Sequence, residues 1–170
     1  MSSKKRPIVS ISKTTYEKIL DVTAMMLWVV TYSCIFFFWN HIPDRIPVHF
    51  NASGEPIRWG KRESILIPSI IGTFVYLLLY TLSWFPHVHN YPVEITKENA
   101  RQMYMTSRKM LTTINCVLTI LISVGLLVTV TAGYGSAQSI LWFLLFLVVS
   151  IMSIIIYYVC KFVRLMNDKG

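Results

Sequence analysis

Four long apolar stretches dominate the pattern of the chain. Each holds about 20 residues with very few charges, which is the length that an α-helix needs to cross roughly 30 Å of hydrocarbon. Because backbone groups in lipid must bond within their own segment, each stretch is predicted to be helical despite its many β-branched residues. The predicted spans are residues 19–39, 65–85, 111–132 and 140–160.

The connections between the predicted spans differ in kind. Residues 133–138 read as a tight turn, which predicts an antiparallel pair of helices from the third and fourth spans. Before the third span, apolar residues recur at helical spacing after two prolines. We therefore expect an amphipathic helix over residues 97–110, with Arg108 away from its apolar face, that runs directly into the third span.

Composition supports lipid as the solvent of these stretches. The 170 residues are 54% hydrophobic and 14% charged, whereas a typical soluble domain has roughly 25% charged residues. A soluble fold of this size cannot bury so much continuous apolar surface. The sequence thus predicts a single integral membrane domain, residues 1–170, whose main partner is the lipid bilayer.

The basic residues predict the orientation of the helices. Twelve Lys and Arg residues fall on the side that holds both chain ends, and four fall in the first connection on the other side. Since cytoplasmic flanks carry the excess of Lys and Arg, both ends are expected in the cytoplasm. The predicted fold class is an all-α membrane protein, a four-helix transmembrane bundle. Basic residues placed beside spans also argue against nucleic acid as a partner.

Residues 40–63, the predicted outer loop, are too rich in specific residue types for a simple connector. Pro43 and Pro47 exclude a regular helix, and residues 53–56 are a turn signal. Large apolar side chains in this stretch need cover, which a compact loop packed on the outer mouth of the bundle would give; they are Ile42, Ile46, Phe50, Ile57 and Trp59.

Polar residues inside the spans have structural interpretations. Asn115, Thr119 and Ser123 recur on one side of the third span and are expected to bond across helices. Asp21 is expected to pair with Lys18 or another basic residue near the cytoplasmic face. Gly72, with the proline four residues before it, is expected to kink the second span.

The outer loop resembles a known module. The sequence IPDRIPVHFNASGEPIRWGKR, residues 42–62, closely resembles the module of the bacterial family catalogued as domain of unknown function 1648, which lies between the first two spans in that family. NYPVEITKENARQMY, before the third span, also resembles a segment of these proteins. The resemblance implies a binding surface at the positions that match the family pattern, which are Pro43, Asp44, Pro47, His49, Phe50, Gly54, Trp59 and Gly60.

The resemblance also implies a function. The best described relatives are SdpI-type immunity proteins, which are longer and protect a producing cell from its own secreted antimicrobial peptide. It therefore implies a multi-pass protein of the bacterial plasma membrane that is not an enzyme and that binds such a peptide, or another membrane protein, through the outer loop. A cationic, amphipathic peptide would contact the apolar groups of the loop together with Asp44 and Glu55.

The alternative is a membrane enzyme or small transporter with its chemistry at His49 and Asp44. His41 and His49, with Asp44 and Glu55, are also weak candidates for a divalent metal site. Their spacing matches no zinc motif, two prolines intervene, and the three cysteines lie far apart. No catalytic motif or phosphate-binding loop occurs. We therefore expect no cofactor. We favour the non-enzymatic function over the enzyme or transporter because the membrane core lacks ionisable groups.

Overall fold

Four long helices make up most of the protein. The computed structural model describes residues 6–51, 53, 55–132 and 137–167. The helices are α1, Thr15–Phe37; α2, Leu66–Ser83; α3, Ala100–Ala132; and α4, Ala137–Asn167. Each contains a stretch long and apolar enough to cross a membrane, so the predicted multi-pass architecture is confirmed at this level. The predicted turn at 133–138 falls largely outside the described residues.

The helix boundaries follow the hydrophobic pattern, except at the start of α3 and the end of α4. α3 has 33 residues and joins the predicted amphipathic helix to the third span without a break, as expected. It begins at Ala100, three residues later than predicted; residues 97–99 form a turn, in which the Thr96 backbone N–H donates to Asn99 Oδ1 (2.9 Å). α4 continues to Asn167, seven residues past the predicted end of the apolar run.

A small sheet corrects the predicted all-α class. Strands β1, Arg45–Phe50, and β2, Pro56–Lys61, form an antiparallel hairpin between α1 and α2. The fold is therefore mostly helical, with a two-stranded sheet in the connection that was expected to be a structured loop. The part of the molecule that carries it is called the hairpin end below.

The opposite end is organised by a segment without helix or strand, residues 6–14, called the strap below. It leads into α1 through a capping box: the Thr14 backbone N–H donates to Glu17 Oε2 (2.7 Å), and the Glu17 N–H donates to Thr14 Oγ1 (3.4 Å). Val9 and Ile11 of the strap pack on a buried cluster that includes Tyr104. The strap thereby covers the first turns of α3.

Arg108 lies under the strap, which corrects its predicted place away from the packed face. Its Nε donates to Glu17 Oε1 (2.5 Å), and its other nitrogens donate to the carbonyls of Ile11 and Ser12 (2.7 Å each). The Arg108 and Glu17 side chains are 5% and 0% exposed. Helical periodicity could not predict this burial, because the covering segment comes from about 90 residues earlier in the chain.

Asp21 is paired as expected, with a different partner. Lys13 Nζ lies 2.6 Å from Asp21 Oδ2, whereas Lys18 was the partner first considered. The same ammonium lies 4.4 Å from the ring centroids of both Tyr80 and Trp84, a cation–π arrangement. Lys13 thus ties the strap to α1 and α2 together.

α3 is the central helix and packs against α1, α2 and α4. Its polar side is buried, and Asn115 Nδ2 donates across to the Tyr76 carbonyl of α2 (3.2 Å), as expected. Thr119 instead bonds within α3, to the Asn115 carbonyl (2.9 Å). Asn115 therefore joins α3 to α2, whereas Thr119, one helical turn further on, bonds to a carbonyl of its own helix.

Gly72 permits the close approach of three helices, in addition to any effect on helix shape. A Cβ at this position would lie 2.8 Å from Cη2 of Trp28 on α1 and 3.1 Å from the side chain of Ile122 on α3. Pro68 lies in the first turn of α2, where proline removes no internal hydrogen bond. The glycine therefore serves packing between α1, α2 and α3.

Arg108→Met leaves the Glu17 carboxylate buried without its partner. We expect a loss of about 3–5 kcal/mol in the free energy of unfolding in detergent micelles. Arg101→Met, at an exposed position of the same helix, should change it by about 0.5 kcal/mol or less. The double variant Glu17→Leu/Arg108→Met should be less destabilised than Arg108→Met alone. Equal stability of Arg108→Met and Arg101→Met would contradict a buried Arg108–Glu17 ion pair.

Gly72→Ala should lower the thermal unfolding midpoint, because the added methyl group overlaps the Trp28 ring at a cost of about 1–3 kcal/mol. Combining it with Trp28→Phe, which removes the outer ring atoms, should recover part of the loss. No recovery in the double variant would show that Trp28 does not set the spacing of α1 and α2.

Candidate functional site

The hairpin is held on the helices by its buried isoleucines. Ile42 and Ile46 are 2% and 3% exposed and join a core cluster with Ile35 of α1 and Ile65, which precedes α2. The predicted cover for the large apolar residues of the loop is therefore confirmed for these two. Ile57 and Trp59 stay exposed on β2, and the side chain of Phe50, at the end of β1, lies outside the described part.

Gly60 is needed where the two strands meet the start of α2. It pairs with Ile46 in the sheet, and a Cβ there would lie 2.6 Å from Ser64 Oγ and 2.7 Å from Val48 Cγ1. A larger residue would push the hairpin away from the helices. This position of the family pattern is therefore structural.

Asp44 and Glu55 close the two ends of the hairpin. Asp44 forms an ion pair with Arg62, and its carbonyl accepts from the Arg62 N–H (3.1 Å). Glu55 accepts from Asn51 Nδ2 (2.9 Å), and Asn51 Oδ1 accepts from the Glu55 N–H (2.8 Å). Both carboxylates, expected to face a cationic ligand, thus have contacts within their own connection, and both residues remain exposed. Gly54 lies outside the described residues.

A groove runs between the hairpin and the helices, and it is called the hairpin groove below. Its volume is about 650 Å³, within the roughly 300–1,000 Å³ of typical ligand sites. Four residues of the predicted binding surface line it: Pro47, His49, Trp59 and Gly60. The remaining wall is mostly apolar and comes from α2, α3 and α4, including Ile67, Pro68, Leu121, Ile122, Leu126 and Leu147.

The polar part of the groove lies at its hairpin side. Arg58 on β2 pairs with His49 on β1, where the register shifts, so the two basic side chains lie on neighbouring strands at one level. No acidic residue of the described chain lines the groove. The groove therefore combines an apolar wall with a positive rim. Sequence reasoning missed Arg58 and the α3 wall, because only the sheet register and helix packing bring them together.

The structure does not bring the histidine and aspartate of the alternative function together. Asp44 precedes β1 and His49 lies near its far end, five residues on, which at roughly 3.3 Å per residue is about 16 Å of extended chain. His41 lies in a 3₁₀ turn after α1, Trp39–His41. In the described part of the chain, no three His, Cys, Asp or Glu side chains come close enough to hold a metal ion.

His89, at the strap end, is the most strongly held histidine. Its Nδ1 lies 2.6 Å from Ser107 Oγ and its Nε2 lies 2.9 Å from the Leu82 carbonyl. Burial lowers its pKa, since the charged form loses hydration. Burial likewise raises the pKa of Tyr91, which stacks on it, to about 12. Both residues join the α2–α3 connection to α3, and the hairpin groove lies at the other end.

Comparison with known proteins concerns mainly the hairpin and its flanking helices. Residues 26–73 match the family model described as domain of unknown function (DUF1648). An uncharacterized protein of Archaeoglobus fulgidus is 33% identical over 76 residues, which covers 42% of this chain and 38% of that relative. No solved structure matches the chain. The resemblance of the outer loop is therefore confirmed over residues 26–73, where the chain matches the family of domain of unknown function 1648.

Proposed function

We propose that this is a non-enzymatic membrane protein that captures an amphipathic ligand in the hairpin groove. The observation that carries the proposal is the position of the family pattern: His49 and Trp59 line one groove with the apolar wall of α2 and α3. The matched segment thus supplies the wall from the hairpin and from the start of α2. Its remaining wall comes from α3 and α4.

The two walls suit a ligand with two chemically different sides. The apolar residues of α2, α3 and α4 accept hydrocarbon or large apolar side chains, whose burial is worth about 25 cal/mol per Å². The exposed Trp59 ring, 46% accessible, offers further contact area at small conformational cost. An amphipathic helix that lays its apolar face into such a groove is a recurrent mode of peptide recognition.

The charge at the rim of the hairpin groove indicates which charge on the ligand would be favoured. Arg58 and His49 are the charged or titratable side chains among the described lining residues. An acidic side chain or a terminal carboxylate would therefore be favoured at this level. The sequence-based expectation of a cationic contact through Asp44 and Glu55 stays a separate prediction, since both residues are exposed outside the groove.

A secreted antimicrobial peptide is the concrete form of the ligand. The support is the resemblance of the outer loop to SdpI-type immunity proteins, which implies a plasma membrane location in a bacterium. The match covers only part of each chain. The antimicrobial peptide therefore rests on the resemblance, whereas capture of an amphipathic ligand rests on the groove. A membrane-protein partner that inserts an apolar segment would use the same groove.

Peptide capture also requires that the hairpin end faces the exterior, with both chain ends in the cytoplasm. The support is the excess of Lys and Arg on the side of the chain ends, twelve against four. Ser53→Cys, in a cysteine-free background, should then be labelled by a membrane-impermeant maleimide in intact cells. Lys97→Cys, at the strap end, should be labelled only after lysis, and the opposite pattern would reverse the orientation.

Arg58→Glu tests the groove itself, with Lys61→Glu as the matched control. Both residues lie on β2, and only Arg58 lines the groove. Charge reversal at the rim should weaken capture of an amphipathic, acid-bearing peptide about tenfold or more, whereas Lys61→Glu should leave capture near the wild-type level. The measurement is growth of a deletion strain that carries each variant, in the presence of peptides secreted by the same organism.

Three outcomes separate the parts of this proposal. A deletion strain as resistant as its parent to every secreted peptide would make the immunity function wrong. Equal protection by the Arg58→Glu and Lys61→Glu variants, at equal membrane levels, would make the groove wrong as the capture site. Protection by the wild-type chain and the Lys61→Glu variant but not by the Arg58→Glu variant is the expected result.

A further inference from the structure

We propose a second binding site, at the strap end, that holds the headgroup of an anionic phospholipid. The site is a cavity of about 680 Å³ between the strap and the residues that follow α2, called the strap cavity below. It lies at the opposite end of the bundle from the hairpin groove. The inference therefore stands independently of the proposed ligand of that groove.

The strap forms one wall of the cavity, and side-chain donors hold it in place. Arg108 donates to the carbonyls of Ile11 and Ser12. Tyr104 Oη donates to the Pro7 carbonyl (3.0 Å), and Arg6 Nη1 donates to the His89 carbonyl (2.5 Å). The wall is thus fixed along most of its length by contacts to α3 and the α2–α3 connection, and the cavity is preformed.

The open donors of the cavity fit a phosphate group. Lys18 lines it, is exposed, and forms no ion pair with any residue that the structure describes. Ser10 and Ser12 also line it, and their hydroxyl groups make no hydrogen bond within the same described residues. An ammonium with two hydroxyl groups is a suitable donor set for a phosphodiester.

The other Lys and Arg side chains that line the cavity are already paired. Lys13 is paired with Asp21, and Arg108 with Glu17. Acidic side chains do not occur among the described residues that line the cavity. Lys18 therefore leaves an unbalanced positive charge there, which attracts anionic rather than zwitterionic lipid.

The level of the cavity in the molecule favours a lipid over a soluble anion. Trp84 and Phe85 line it, directly follow the last residue of α2, and are 57% and 48% exposed. Exposed aromatic residues at the end of a span belong at the headgroup level of the bilayer. A phosphate at Lys18 would leave the glycerol and upper acyl chain beside these two rings.

The test measures stabilisation of the purified full chain by lipid in detergent micelles. Phosphatidylglycerol is titrated by mole fraction, and the thermal unfolding midpoint is recorded, with phosphatidylcholine and inorganic phosphate as parallel titrants. Lys18→Gln should raise the phosphatidylglycerol level for half-maximal stabilisation about fivefold. Lys18→Arg should keep the wild-type value, because it keeps the charge.

Lys97→Gln is the matched control, since Lys97 is exposed at the same end and lies outside the cavity. It should behave as wild type. An equal loss in Lys97→Gln and Lys18→Gln would indicate diffuse attraction and overturn the site, as would an unchanged Lys18→Gln. Equal stabilisation by phosphatidylcholine would exclude recognition of charge, and equal stabilisation by inorganic phosphate alone would show a simple anion site instead of a lipid site.

Discussion

The buried ion pair between Arg108 and Glu17 is the interaction on which the rest of the structure depends. Glu17 completes the capping box that starts α1, and Arg108 uses its remaining donors to hold the strap. A single guanidinium thus fixes α1, α3 and the N-terminal segment relative to one another. Both side chains are buried, and buried charges are tolerated only when paired. Each partner therefore requires the other, and the height of α1 against α3 follows from their contact.

The position of α1 along α3 determines which helix residues the hairpin packs against. The first span delivers Ile42 and Ile46 onto the core formed with Ile35 and Leu126, and the Asp44–Arg62 pair closes the strands at their base. Gly72 lets α2 approach Trp28 closely. The hairpin is therefore seated against the helices by packing, while Trp59 and Arg58 of β2 line the hairpin groove.

The hairpin groove and the strap cavity differ in the chemistry of their walls. At the hairpin end, most of the wall is apolar and comes from the helices, and Arg58 supplies a positive charge at the rim, beside His49. At the strap end, one wall is the strap, with both apolar and hydroxyl side chains, and aromatic residues lie at the end of α2. The first arrangement favours a ligand that buries much apolar surface, and the second favours a headgroup whose chains remain in the bilayer.

The amino-acid sequence by itself determined the number and approximate length of the helices and the continuity of the amphipathic segment with α3. It could do so because hydrocarbon imposes one strong requirement, about 20 apolar residues with internally satisfied backbone groups. It also singled out the segment around His49 and Trp59 as the chemically distinctive connection. These properties are local, and each can be read within one window of the chain.

Only the tertiary structure decided that this connection is a hairpin, that Asp44 and Glu55 bond within it, and that Arg58 lines a groove with α3. It also decided the burial of Arg108, whose partner Glu17 lies 91 residues away in the sequence. Helical periodicity places a charged residue on the solvated side of its helix, and it contains no information on a distant segment that covers that side. Cross-strand register and long-range ion pairs depend on which segments meet, and that is a property of packing rather than of local pattern.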